Sequence, residues 1–188
     1  MEQIPDSDNV TLNFREVNPN TWPDLEQLFE SRGGPKYCWC MVWRATPKEL
    51  KGNAQVHKAA LKHRVDTAIP IGIVGYLDQE PVAWCSIAPR TTFHGLGGIN
   101  DLTEENVWSL TCFFVKRHLR GKGITRQMIS AAVAHAVQKG ATIVEAYPVD
   151  PWSPSYRFMG YVESFKAAGF EKVGRAGSRR HVLRLKVG

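Results

Sequence analysis

A short basic segment between two apolar stretches, residues 120–125, carries the side chains of a phosphate-binding turn. Gly121 and Gly123 allow the backbone to approach a ligand closely, while Arg120 and Lys122 supply positive charge. If a helix begins near Gly123, the unpaired N–H groups of its first turn would also stabilise phosphate oxygens. The segment fits neither a Walker loop nor a three-glycine dinucleotide fingerprint. Phosphate binding and a solvated basic loop are the two interpretations that spacing alone leaves open.

The elements on either side of this turn can be predicted from their apolar patterns. Residues 107–115 indicate a buried strand whose side chains alternate between two faces. After the turn, apolar residues recur at helical spacing, and Gly140 is a natural stop signal. The turn therefore connects a strand to a helix. One face of the predicted strand should carry Trp108, Leu110, Cys112 and Phe114.

The rest of the chain is predicted to alternate between strands and helices. Two helices should precede the main sheet, one containing Trp22 to Phe29 and one running from a capping box at 46–49 towards residue 64, with a break at Gly52. A later helix should begin at Ser153 and Pro154 and end at Gly169. A strand, a helix and a strand in succession imply one parallel pair in a mixed sheet. The other predicted strands are 10–17, 71–77, 81–88, 142–149, 171–173 and 181–187.

The turn resembles the pyrophosphate loop of the GNAT superfamily of N-acetyltransferases. The pattern in that superfamily is Arg or Gln, two residues, Gly, one residue, and then Gly or Ala. Arg120 and Gly123 match the pattern, and Thr125 departs from it while keeping a backbone N–H and adding a hydroxyl. The order of predicted elements from Val10 to the C-terminus is also similar to the GNAT core, although only the loop is specific.

The resemblance implies a single α/β (α+β) domain spanning 1–188, with a mixed, mostly antiparallel twisted sheet, a central parallel strand pair and flanking helices. Residues 1–9 are expected to be a flexible start. The implied cosubstrate is acetyl-CoA, whose acetyl group passes directly to a primary amine of a small molecule or peptide in a ternary complex. Backbone groups of Phe113 and Val115 would pair with the pantetheine arm. The pyrophosphate would be held by Arg120, Gly121, Lys122, Gly123, Ile124 and Thr125.

A candidate acid follows from the same resemblance. The superfamily often uses a tyrosine four residues before a Gly-Phe pair to protonate the leaving thiolate, but that position is Phe165 here, which cannot donate a proton. The asparagine that usually lies seven residues earlier is Phe158. Tyr161, one helical turn before Phe165, is the substitute acid that we predict, and an ordinary core aromatic is the alternative.

Glu145 is the candidate base. It lies in the middle of a predicted strand, where a charged residue is costly to bury unless it is paired or functional. In the superfamily this strand flanks the acetyl-transfer cleft, so a raised pKa would suit Glu145 to deprotonate an amine directly or through water. A structural salt bridge to an arginine, for example Arg44 or Arg90, is the alternative that the sequence leaves open.

The segment 37–44 is rich in aromatic and sulfur side chains. It follows the first helix, where the superfamily forms its acceptor site, so Trp39 or Trp43 could attract an amine cation, with core packing as the alternative. The four cysteines should be thiols, because Cys85 and Cys112 lie in predicted strands and a disulfide framework is not expected in a chain of this size. Cys38 and Cys40 lack the second half-site of a zinc module, which favours buried structural cysteines over metal ligands. The six histidines show no metal spacing either, so we expect no metal site.

Length and composition favour a soluble cytoplasmic protein. A chain of 188 residues with 43% hydrophobic content can bury one core. The acidic start resembles neither a secretory signal nor a transit peptide, and no apolar run approaches the roughly 18 residues of a membrane span. A membrane partner is therefore not expected, whereas two copies could pair through the terminal strands.

The net charge of +6 is concentrated near the C-terminus, where residues 166–188 contain seven Lys or Arg and one Glu. Such a tail could bind nucleic acid. Solvated faces of terminal strands explain it better, because aromatic residues are not interleaved with the charges. The alternatives to N-acetyl transfer are transfer of a different acyl chain, and an acyl-CoA-sensing or nucleic-acid-binding protein that keeps the fold with little catalysis.

Overall fold

The computed structural model describes residues 10–101 and 105–188, so the predicted flexible start at 1–9 lies outside the described residues. Seven strands and five helices lie within the described ranges. The strands are β1 Asn13–Glu16, β2 Ile73–Leu77, β3 Glu80–Pro89, β4 Val107–Val115, β5 Ile143–Ala146, β6 Glu171–Ala176 and β7 Arg180–Lys186. The helices are α1 Trp22–Glu30, α2 Pro47–Leu50, α3 Ala54–Asp66, α4 Ile124–Gln138 and α5 Val162–Ala167.

All seven strands form one mixed sheet in the order β1-β2-β3-β4-β5-β7-β6. Every neighbouring pair is antiparallel except β4 and β5, which run parallel from Val107 opposite Ile143 to Leu110 opposite Ala146. The predicted mixed α/β fold with a central parallel pair is therefore confirmed. β4 continues to Val115, five residues beyond its last pair with β5. This leaves one edge of β4 without a strand neighbour in the described part of the chain.

A bulge in β4 changes which side chains share a face. Cys112 pairs with Ser86 and Leu110 pairs with Ile87, so Thr111 is the extra residue. The predicted alternation, with Leu110 and Cys112 on one face, is wrong for this reason. Leu110 packs in the core beneath α4, whereas Cys112 packs against the core on the opposite side of the sheet.

The sheet separates two main apolar cores. One contains α4 residues such as Met128 and Ile129 together with Phe165 of α5. The other contains Leu25 and Phe29 of α1, with the segment that follows α1 packed beside them. Within the described residues, no helix combines the length and the apolar character that crossing a membrane requires.

Local sequence signals set most helix boundaries. The predicted capping box before α2 is present: the Thr46 hydroxyl accepts from the Glu49 N–H, and the Glu49 carboxylate accepts from the Thr46 N–H. The predicted break near Gly52 is also present, because Asn53 caps α3 separately. Three helices, rather than the predicted two, therefore lie between β1 and β2.

The start of the last helix was predicted wrongly. Ser153 and Pro154 do not cap it; α5 begins at Val162 with Tyr161 as its N-cap. A 3-10 turn at Arg157–Met159 comes first, and Gly160 follows with a φ of 83°. That left-handed conformation favours glycine and ends the turn before α5 can begin. The helix does stop before Gly169, as predicted.

Candidate functional site

A cleft of about 590 Å³ opens where β4 extends beyond β5. One wall is the second half of β4, and the others come from the segment after α1, the turn before α4 and the residues just before α5. Of the ten predicted site residues, Phe113, Val115, Arg120, Thr125 and Tyr161 line this cleft. The full lining is Gly33, Pro35, Cys38, Cys40, Val42, Trp43, Cys112, Phe113, Phe114, Val115, Arg120, Thr125, Arg157, Phe158 and Tyr161.

The edge of β4 beyond its last pair with β5 can hold an extended ligand that carries amides. Phe113 and Val115 pair with Cys85 and Ala83 of β3 on one side. On the other side no strand pairs with them among the residues described. Backbone N–H and C=O groups at such an edge bind extended chains as an additional strand would. The predicted contact of residues 113 and 115 with a pantetheine arm is compatible with this arrangement.

The turn before α4 has the geometry of an anion-binding site. Gly121 and Gly123 both adopt left-handed backbone conformations, with φ of 80° and 73°, and a side chain at either position would point into open space. Gly123 is the N-cap of α4 and supplies no side chain to cap the first turn. The helix dipole and its unpaired N–H groups therefore favour a negatively charged ligand at this end.

Arg120 connects the turn to the strand edge. Its Nε donates to the Val115 carbonyl over 3.1 Å, at the point where β4 ends. Arg120 and Thr125 both line the cleft, while Ile124 is buried as the first residue of α4. The predicted phosphate turn and the predicted strand edge are thus two ends of one continuous cleft.

The two aromatic positions near α5 have different surroundings. Phe165 is fully buried and packs its ring against Phe113 and Phe170, with ring centroids 6.0 and 5.2 Å apart. Tyr161 is 37% exposed and lines the cleft beside Phe158. A phenol can therefore reach the cleft from residue 161, whereas residue 165 belongs to the core.

Glu145 is fully buried in an ion-pair cluster with partly buried arginines and is not among the residues that line the cleft. Its carboxylate accepts from Arg184 Nε at 2.6 Å and lies 3.3 Å from an Arg90 guanidinium nitrogen. The Tyr147 hydroxyl donates to the same carboxylate, and burial together with this neighbouring charge raises the pKa of Tyr147. The proposed pairing with Arg90 is present, Arg44 is not a partner, and Arg184 is a partner that the sequence did not indicate.

Two cysteines in the cleft were not predicted as site residues. The sulfur atoms of Cys40 and Cys112 are 3.0 Å apart, and both residues line the cavity. The Trp84 indole N–H donates to Cys40 over 3.0 Å. The Cys-x-Cys motif draws attention to Cys40, but nothing in the sequence pairs it with a residue 72 positions away. No cluster of three or more His, Cys, Asp or Glu that could hold a metal ion occurs in the described residues.

The two candidate amine-binding tryptophans have different positions. Trp39 is buried in the core with the Lys58 ammonium 5.1 Å from its ring centroid. Trp43 lines the cleft, and the Arg180 guanidinium lies 4.2 Å from its ring centroid. The indole N–H of Trp43 and one guanidinium nitrogen of Arg180 are buried without a hydrogen-bond partner in the described residues. Only Trp43 can therefore contact an acceptor in this cleft.

Solved structures share this fold at low sequence identity. An acetyltransferase from Thermus thermophilus is 17% identical with a TM-score of 0.58, over 96% of this chain and 99% of its own. A ribosomal-protein-alanine N-acetyltransferase from Brucella melitensis is 16% identical with a TM-score of 0.55, over 94% of this chain and 100% of its own. A GNAT family acetyltransferase from Brucella melitensis in complex with acetyl-CoA is 12% identical with a TM-score of 0.51, over 96% and 90%.

A comparison of the sequence with profiles of protein families identifies the family of this chain. A search of curated protein sequences gives no match. A profile of the acetyltransferase (GNAT) family matches residues 22–161, from the start of α1 to the N-cap of α5. The matched region includes all of β4, the glycine turn and all of α4. The chain belongs to the GNAT acetyltransferase family.

Proposed function

We propose that this protein transfers an acetyl group from acetyl-CoA to a primary amine of a small molecule or peptide, by direct attack in a ternary complex. The observation that carries the proposal is the continuous cleft in which the unpaired edge of β4 leads to the uncapped N-terminus of α4. Acetyl-CoA supplies an activated acetyl thioester at the end of an amide-bearing arm. The unpaired strand edge suits the amides of the arm, and the N-terminus of α4 suits the negatively charged pyrophosphate.

Different residues would bind the pyrophosphate and the pantetheine arm, at the two ends of the cleft. At the phosphate end, Arg120, the hydroxyl of Thr125 and the first backbone N–H groups of α4 hold the pyrophosphate, with Lys122 adding charge. At the strand edge, the backbone of Phe113 and Val115 pairs with the pantetheine arm. The reactive end then lies towards the bulge at Thr111, beside the segment that follows α1.

Proton transfer at the reactive end needs an acid and a base. Tyr161 is the proposed acid, because its phenol lines the cleft and is partly exposed. Its proton would go to the leaving thiolate. Glu145 stays our candidate base only through a water relay, since the carboxylate is fully buried among arginines. An ammonium acceptor must lose a proton before it can attack, so the reaction requires a proton acceptor.

Binding of acetyl-CoA is the first test. Titration calorimetry with acetyl-CoA should show saturable binding, and a pantetheine derivative without the pyrophosphate should bind more weakly. The absence of binding at millimolar acetyl-CoA would contradict the proposal. A structural neighbour bears the name ribosomal-protein-alanine N-acetyltransferase, so peptides that begin with alanine belong in the acceptor screen beside small amines.

An acyl-CoA-sensing protein with little catalysis is the second candidate, because Phe165 replaces the usual acid and is buried in the core. It predicts tight acetyl-CoA binding and no release of free thiol with any amine. Nucleic-acid binding has less support. Arg180 is buried against Trp43, and Arg184 is paired with Glu145 and Asp101, so part of the basic tail already has internal partners.

A further inference from the structure

The side chains of Cys40 and Cys112 are in contact at the wall of the cleft, although the two residues lie in separate parts of the fold. Cys40 lies in the segment between α1 and α2, and Cys112 follows the bulge in β4. Their sulfur atoms are 3.0 Å apart, which is only about 1 Å longer than a covalent S–S bond. Very little movement would therefore be needed to join them.

The surroundings of Cys40 favour its thiolate. Arg44 is 1% exposed and donates to the Ser86 hydroxyl and the Ile71 carbonyl, but no carboxylate pairs with it in the described residues. A buried guanidinium without an acidic partner is costly, and an anionic sulfur nearby would compensate its charge. The Trp84 indole donates to the same sulfur over 3.0 Å.

The two thiols differ in acidity. A hydrogen bond from the Cys112 thiol, assisted by the charge of Arg44 and the indole of Trp84, lowers the pKa of Cys40. The hydrogen bond to Cys40 and burial raise the pKa of Cys112. Cys40 therefore suits the role of the attacking thiolate, and Cys112 that of the resolving thiol.

Both residues line the cleft of about 590 Å³, where Cys112 is partly exposed and Cys40 is 6% exposed, so a small oxidant in the cleft can reach the pair. Cys85, in contrast, is fully buried and does not line the cleft. Cys40 and Cys112 therefore border the cavity, whereas the Cys85 thiol is protected from an oxidant in it. Cys38 also lines the cleft, and its sulfur contacts the Pro35 carbonyl at 3.7 Å.

We propose that Cys40 and Cys112 form an oxidation site, at which hydrogen peroxide converts the two thiols into a reversible disulfide in the wall of the cleft. The Cys40 thiolate attacks one peroxide oxygen, the O–O bond breaks, and Cys40 becomes a sulfenic acid as hydroxide leaves. The Cys112 sulfur then attacks the Cys40 sulfur. The S–O bond breaks, and the departing hydroxide takes the Cys112 proton and leaves as water. The two thiols lose two electrons, and one hydrogen peroxide is reduced to two waters.

The disulfide would also control acetyl transfer, a consequence that rests on the proposed function. It would tie the segment after α1 to β4, and these are two walls of the cleft through which an acceptor must pass. It would also remove the anionic partner of Arg44. We expect the oxidised protein to lose at least about tenfold in turnover, because small displacements in a reactive site have effects of this size. Binding of CoA should be retained, since the phosphate turn lies at the other end of the cleft.

Mass spectrometry of the native protein tests the oxidation site without any activity assay. Treatment with hydrogen peroxide should lower the intact mass by about 2 Da and remove two titratable thiols, and dithiothreitol should restore both. Peptide mapping should join Cys40 to Cys112. The Cys38→Ser and Cys85→Ser variants should form the same disulfide, whereas Cys40→Ser and Cys112→Ser should not.

Three results would overturn the proposal: a disulfide that joins Cys38 to another residue, oxidation of Cys40 to a sulfinic acid without a disulfide, or no oxidation under conditions that oxidise free cysteine. Circular dichroism of each variant shows whether it is folded, and Cys112→Ala provides a second variant if Cys112→Ser is not. A disulfide in a protein that acetylates no amine would leave the oxidation site intact and count against the proposed function. Turnover unaffected by a confirmed disulfide would remove the control of acetyl transfer.

Discussion

Glu145 and Arg184 lie directly opposite each other on β5 and β7, and the Arg184 Nε donates to the Glu145 carboxylate over 2.6 Å. Arg184 also contacts Asp101 at 2.7 Å, and Arg90 approaches the other oxygen of Glu145 at 3.3 Å. The carboxylate is fully buried, so these guanidinium groups replace the water that would otherwise solvate it. The ion pair joins β5 to β7, and β5 is also the strand that runs parallel to β4.

Replacing Glu145 with glutamine should lower the free energy of unfolding by about 3 kcal/mol, because the partly buried guanidinium groups of Arg90 and Arg184 lose the fully buried carboxylate that they share. Urea denaturation at neutral pH measures this change. Glu163→Gln is the matched control: Glu163 is 75% exposed in its pair with Lys166, and its replacement should change stability by less than about 1 kcal/mol. A Glu145→Gln protein of normal stability that binds acetyl-CoA but has no turnover would instead support the role of base.

Glu49 should make the stability depend on pH. Arg64 donates to both carboxylate oxygens, at 3.1 and 3.0 Å, and this interaction lowers the pKa of Glu49 from 4.5 to about 2. A carboxyl group with a lowered folded pKa contributes stability that is fully present above pH 4.5 and is lost as the pH falls towards about 2. After allowance for solvent screening, we expect a contribution of about 1 to 2 kcal/mol.

The Glu49→Gln variant isolates this charge, because glutamine can still complete the capping box with Thr46. Its stability should be lower than that of the natural protein at neutral pH, and the difference should shrink as the pH falls from 4.5 towards about 2. Chemical denaturation at several pH values gives the difference directly. A gap that stays constant across this range would show that the charge of Glu49 does not stabilise the fold.

Local signals explain which parts of the molecule could be predicted from the sequence. The turn at 120–125 was predictable because its glycines, its charges and the change from strand to helix periodicity all lie within a few residues. The capping box at Thr46 was predictable for the same reason. The α5 boundary was not, because Ser153 and Pro154 are also good start signals, and the left-handed backbone at Tyr156 and Gly160 is what interrupts a helix that starts there.

Contacts between distant residues could not be predicted in this way. The pairing of Glu145 with Arg184 depends on the register of β5 against β7, and no local pattern fixes that register. Similarly, Cys112 contacts Cys40 because the bulge at Thr111 moves it to the opposite face from Leu110. One extra residue in the strand moves every later side chain to the opposite face of the sheet, so the predicted alternation fails beyond the bulge.

Replacing Arg120 with alanine should weaken CoA binding by about 1.5 to 3 kcal/mol, the usual contribution of a charge-assisted hydrogen bond. Calorimetry with CoA measures the loss. The same titration with a pantetheine ligand that lacks pyrophosphate should show little change, which separates a phosphate contact from disturbance of the Val115 carbonyl that Arg120 also contacts. Arg117→Ala removes an equal charge from the preceding 3-10 turn and is the control for general electrostatics. Equal CoA affinities for Arg120→Ala and the natural protein would contradict the assignment of the turn.

Replacing Tyr161 with phenylalanine should lower kcat while leaving CoA affinity unchanged. The phenol lines the cleft and is 37% exposed, so its removal deletes a proton donor without opening the core. General acid catalysis typically contributes a factor of about 100 or more. The loss of kcat in this variant should be smaller than that, because the leaving group here is a stable thiolate. The pH profile of kcat tests the role itself, because loss of the acid should remove the decline in rate at high pH. Phe158→Leu changes a neighbouring cleft residue that has no proton to donate, and it should keep the decline. If Tyr161→Phe turned over at the natural rate with an unchanged profile, the proton would have to come from another group or from water.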